Sequence, residues 1–126
     1  MPIASTENIV RAVCSDKWDG ERLSPSLFIG SGTSVSRLAL IPLEEHRGMF
    51  RRHVEKPPDR KLEIIGEINV GALQELGRTH TPAVALTVEP MPEDWNPAHA
   101  EIVEKISRGL ANRILPELTL HRAPHK

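Results

Sequence analysis

Apolar and polar residues fall in short runs along this chain, cut repeatedly by proline and glycine. Ile9-Val10-Arg11-Ala12-Val13-Cys14 is apolar and β-branched enough to predict a first strand over 9–14, and Asp19-Gly20 is a turn pair able to close a hairpin. Residues 26–41 read as two short extended pieces separated by the flexible Gly30-Ser31-Gly32-Thr33-Ser34. Pro42, followed by Glu44 and Glu45, predicts a helix start, with Leu43, Phe50 and Val54 near one face and Pro57-Pro58 ending the element. Gly48 weakens that helix by roughly 1 kcal/mol relative to alanine. Beyond a polar link over 57–61, residues 62–70 predict a strand and 71–77 a short helix closed by Gly77. Residues 83–88 predict a further strand, and 89–97, with three prolines, a loop.

The C-terminal third carries the longest period. Ile102, Ile106, Leu110 and Ile114 recur every four residues, with Asn96 as a good N-cap and Pro97 at the first helical position. This predicts an amphipathic helix from 97 to a stop before Pro116. Residues 119–126 read as a loose tail. The expected fold is α+β: one globular domain over 1–126, with a small, mostly antiparallel sheet and the C-terminal helix packed across one face.

Composition narrows the class. The chain has 126 residues, 39% hydrophobic and 26% charged, as expected for a globular domain able to bury a core without disulfides. Eleven prolines and only 3% aromatics, with no tyrosine, imply short elements and an aliphatic core. The formal net charge of -1 provides no global positive field for bulk nucleic-acid binding. A single cysteine, Cys14, excludes an internal disulfide and a cysteine-built zinc site, and it reads as a small buried residue. No metal or cofactor is called for. No run approaches the roughly 20 apolar residues of a membrane span, and a cytoplasmic protein is expected.

Candidate chemistry centres on Asn96-Pro97-Ala98-His99-Ala100-Glu101. In a helix, His99 and Glu101 stand roughly 200° apart and cannot face one ligand; Glu101 would then pair with Lys105, and Glu104 with Arg108, on the wet face. In an extended chain the two would share a face and could act together. The cap and the long stripe favour the helix. His99 could be fixed in one tautomer by a carbonyl or carboxylate, with Asp94 close in sequence; the plainer expectation is a core-edge histidine bonded to backbone. Arg11 ordinarily points outward as half of strand alternation, whereas an inward Arg11 needs an anionic partner or ligand. The glycine-serine stretch could offer N–H groups and hydroxyls to a phosphate, although it is neither a Walker loop nor a dinucleotide fingerprint. Arg47, Arg51, Arg52 and His53 are flanked by glutamates and read as a solvated helix surface.

Arg11 in a first strand, then Ser34-x-Ser36, then Glu101 resembles the Arg, Ser-x-Ser, Glu pattern of ADP-ribosyltransferases. That resemblance implies that Arg11 and Ser36 hold NAD and that Glu101 is the catalytic carboxylate. The Val10-Arg11, Ser34-Val-Ser-Arg37-Leu and Asn96-Pro-Ala-His99-Ala blocks are also similar to those of small uncharacterised bacterial proteins, which implies that Arg11, Arg37, Asn96 and His99 belong to one motif set. Two functions are therefore expected: foremost an accessory protein that binds a protein partner, since no catalytic set is complete, and alternatively a nucleotide- or NAD-binding enzyme. The candidates are His99 and Glu101 for catalysis, with Arg11, Ser34, Ser36, Arg37 and Asn96 for ligand binding.

Overall fold

The computed structural model describes residues 1–54 and 60–123. Among them, β1 (Asn8–Cys14), β2 (Thr33–Arg37), β3 (Leu62–Asn69), β4 (Val88–Pro90), β5 (His99–Ile102) and β6 (Thr119–Arg122) form one sheet in the order β4-β5-β2-β1-β3-β6. Every pairing is antiparallel. The helices are α1 (Leu43–Val54), α2 (Val70–Thr79) and α3 (Arg108–Ile114).

The middle of the sheet is apolar on both faces, and the helices divide accordingly. Ile9 and Val13 of β1 join Ile64, Ile68, Val35 and Ile102 in a large cluster with Leu73 of α2 and Leu110, Ala111 and Ile114 of α3. Val10 and Ile65 face the other way, into a smaller cluster with Phe50 of α1. Strands covered on both faces read as nearly continuous apolar runs, which is why β1 and β3 were predictable. Asn69 caps α2, its side chain accepting from the Ala72 N–H, so that helix starts one residue before the predicted bound.

The helix expected over 97–114 does not form as such. His99–Ile102 is a strand, and only Arg108–Ile114 is α-helical, capped by Ser107. All four residues of the stripe are nevertheless fully buried: Ile102 from β5, Ile106 from a bridge to Gly30, and Leu110 and Ile114 from α3. Three backbone forms thus produced one helix-like spacing. Underneath it, His99-Ala100-Glu101-Ile102 alternates polar with apolar, and pairing with β2 selects that period of two. The predicted helix pairs are absent from the listed bonds of Glu104, whose carboxylate instead accepts from the Thr87 N–H and hydroxyl at 2.6 and 2.7 Å.

Two further expectations are corrected. Residues 83–87 are not a strand, because this segment crosses α2, where Val84 N–H donates to the Gly77 carbonyl at 2.9 Å; strand structure begins at Val88. Thr119–Arg122 is not loose, because it pairs with β3 as β6. The expected helix stop at Pro57-Pro58 lies outside the described residues.

The two helical glycines should respond oppositely to alanine. A Cβ at Gly77 would stand 2.6 Å from the Val84 carbonyl oxygen, which is backbone. Gly77→Ala should destabilise by about 1–3 kcal/mol despite alanine's better helix propensity. At Gly48 the nearest atom is the movable Arg52 Nη1 at 3.3 Å, so Gly48→Ala should stabilise by about 0.5–1 kcal/mol. Urea titration of both variants checks the pair of signs.

Candidate functional site

Between α1 and the sheet lies a pocket of about 270 Å³, lined by Val10, Arg11 and Ala12 of β1, Ser34 and Val35 of β2, Phe50 and His53 of α1, the loop residues Glu93, Trp95 and Asn96, and His99 of β5. A more open hollow of about 460 Å³ continues from it and adds Glu101, Met91 and Pro92. Ser34, Glu93 and His99 line both, so the two form one groove.

Strand register explains which side chains reach the groove. Ser36 pairs with His99 and Ser34 with Glu101, so these four share one face of the sheet. His99 and Glu101 therefore point the same way, the arrangement that a helix would have forbidden. Gly32, at φ 65°, lies beneath Glu101; a Cβ there would be 3.4 Å from Oε1. Glu101 is also the register partner of Glu89 on β4, placing two carboxylates side by side at the rim.

The loop between β4 and β5 is tied down at both ends. Glu93 and Asn96 exchange backbone hydrogen bonds of 3.0 and 2.9 Å, and the buried Asn96 accepts from the Ala98 N–H through Oδ1. Asn96 is thus a turn-former where a helix cap was expected. Its Nδ2 donates to Ser36 Oγ at 2.9 Å, and Ser36 Oγ lies 2.6 Å from Nε2 of His46. Nδ1 of His46 faces the Pro42 carbonyl at 3.3 Å. One proton arrangement satisfies the whole chain: Asn96 donates to Ser36, Ser36 to His46, and His46 to Pro42. Ser36 is 1% exposed and His46 0%, so Ser36 is a buried tie and not the ligand-facing hydroxyl; Ser34 is the exposed one. Burial holds the His46 imidazole below its ordinary pKa, in the neutral form that can accept from Ser36.

His99 is anchored by its Nδ1 donating to the Met91 carbonyl at 2.8 Å, while Nε2 lies 3.3 Å from Glu93 Oε1. The expected backbone tie is present, and the neighbouring carboxylate is Glu93 where Asp94 was considered. With Nδ1 already protonated, the Glu93 contact becomes an ion pair when Nε2 also carries a proton. Trp95 forms the wall: His53 stacks on it, with centroids 3.7 Å apart and planes 5° from parallel, and the His99 ring is 6.4 Å away.

Arg11 shares the orientation of Ile9 and Val13, toward the large cluster, so the expected outward direction is corrected. Past Val10 and Ser36 the β1–β2 pairing stops, and the guanidinium occupies the parting, Nε donating to the Leu27 carbonyl at 2.8 Å and Nη1 to that of Ser34 at 2.6 Å. It also lies 5.9 Å from the centre of the Phe28 ring. Among the described residues no carboxylate pairs with it. Loss of hydration, then repulsion from Arg60, pulls its pKa down to about 10, so it remains charged at neutral pH. Arg37 does not join the site. It is on the opposite face from Ser34 and Ser36 and forms a two-pronged pair with Glu7 at 2.6 and 3.0 Å.

The sequence reading missed His46, His53, Glu93 and Trp95. Only His46 left a local signal: it stands four residues before Phe50, on the face of α1 that turns inward. Among the described residues no cluster of three or more metal-ligating side chains occurs, and no helix is long and apolar enough to cross a membrane. The sequence matches no family model, and no curated protein or solved structure is similar to it.

Two stability tests follow from these contacts. Ser36→Ala strips partners from two buried groups and should cost about 1–3 kcal/mol in chemical denaturation. In the parent chain, the lowered pKa of His46 means that the unfolded state binds more protons, so stability should fall as pH drops below the ordinary histidine value of about 6.5. Arg37 depresses the Glu7 pKa, so that pair stabilises above the ordinary carboxylate value and loses its effect as pH falls through the depressed one. Glu7→Gln should therefore cost up to about 1 kcal/mol at neutral pH, partial exposure limiting the figure, and the gap should close in acid.

Proposed function

We propose that the groove over β1, β2 and β5 binds a small anionic ligand. One observation carries this reading: Arg11 is a largely desolvated cation beside the pocket, held by carbonyl oxygens with no carboxylate partner among the described residues. A charge kept out of water in this way gains most from an anion entering the site. The exposed Ser34 hydroxyl and the two imidazoles supply further polar contacts, and the indole supplies apolar surface.

A second reading is favoured by strand order. Arg11, Ser34 and Glu101 stand on the successive neighbours β1, β2 and β5, and Arg11 bonds the carbonyl of the residue that pairs with Glu101. This supports an NAD-using enzyme of the ADP-ribosyltransferase kind, with Ser34 in the role first expected of Ser36 and Glu101 as the catalytic carboxylate. The accessory, partner-binding role has a narrower basis: the exposed Ile29, Leu40, Met91, Val103 and Leu120 come from five separate segments. A cytoplasmic setting belongs to either reading and rests on the lack of any cysteine pair.

Thermal unfolding with millimolar phosphate-bearing compounds tests the binding reading. Stabilisation should reach about 2.7 kcal/mol once the ligand is at roughly a hundred times its Kd, should persist in part in Arg11→Lys, and should vanish in Arg11→Gln. Equal stabilisation of Arg11→Gln, or none of the parent chain, overturns the proposal. For the enzyme reading, NAD should be consumed by the parent chain and not by Glu101→Gln.

A further inference from the structure

The groove is polarised along its length. At the pocket end are Arg11, whose Nη1 bonds the Ser34 carbonyl, and the imidazole of His53. At the open end are Glu101 and Glu93, with Glu89 directly across the β4–β5 pair from Glu101. Glu101 pairs with Ser34, so it stands one strand beyond the residue that Arg11 grips, and two strand spacings separate the ends by roughly 10 Å. Between them the Trp95 indole and the His99 imidazole offer flat surfaces.

We infer that the ligand is bipolar: a ring-bearing molecule with an anionic group toward Arg11 and a cationic or N–H-donating ring toward Glu93 and Glu101. This rests on the anion-binding reading above and specifies the ligand class. An anion alone would leave the acidic end unmatched. Two carboxylates in direct register, Glu89 and Glu101, repel each other and weaken the sheet edge by a few tenths of a kcal/mol. A positive ring placed between the indole and those carboxylates relieves the repulsion and gains a stacking contact. A second negative group at the ring end would be rejected, because like charges facing each other give discrimination where shape does not.

The test is isothermal titration of the full chain with four probes: inorganic phosphate, adenosine monophosphate, nicotinamide mononucleotide and nicotinic acid mononucleotide. The last two differ by an amide against a carboxylate on the same positive ring. The amide form should bind roughly fivefold or more tightly than the carboxylate form, the scale of one partly exposed charge pair, and more tightly than adenosine monophosphate, whose ring is neutral. In Glu93→Gln/Glu101→Gln that preference should shrink toward one, with circular dichroism confirming the fold. If phosphate compounds bind in an Arg11-dependent way but ring charge makes no difference, or if the double variant keeps the full preference, the bipolar ligand is wrong and simple anion binding stands. If no phosphate compound binds, both readings fall together.

Discussion

The hydroxyl of Ser36 is the point on which the groove depends. It receives the amide of Asn96 and reaches the imidazole of His46, joining β2, the β4–β5 loop and α1 inside a region that excludes water. A hydroxyl can serve as both acceptor and donor, so no other small side chain could bond an amide donor and a neutral imidazole at once except threonine, whose methyl group would need room in a buried site. Everything that lines the groove from the loop side, Glu93 and Trp95 included, hangs from this tie. The stack of His53 on Trp95 then closes the same two segments a second time, nearer the solvent.

Much of the fold was legible where local chemistry and tertiary contacts agree. β1 and β3 are apolar on both faces, α1 begins just after its proline, and α2 has a capping asparagine. Reading failed where a nonlocal partner decides the backbone. His99–Ile102 has a plausible cap and stripe for a helix, yet β2 needs a neighbour and the segment supplies one. The segment 83–87 is β-branched but is captured by Gly77, and the 119–122 segment is drawn into pairing with β3.

The site divides the same way. Arg11, Ser34, Asn96, His99 and Glu101 were visible because each is a polar residue in an informative local context, and all five line the groove. Their relation was not visible, since it follows from register between strands more than 60 residues apart. Trp95 and His53 carry no mark of one another in sequence. Arg37 looked equivalent to Arg11 and is not, because alternation along β2 sends it to the other face, where Glu7 receives it.

The strand order also governs when the groove can exist. β2 finds β5 only after the chain has passed through α1, β3 and α2, and the Asn96–Ser36 bond spans 60 residues. Such distant pairings form slowly, because loop closure must precede the contacts that stabilise it. During synthesis the first 90 residues can build β1, β2 and β3 with the Arg11 side of the floor, but without the far wall. Binding competence therefore arrives at once, late, with the emergence of β5, and any ligand held by the groove also fastens the two halves of the chain together.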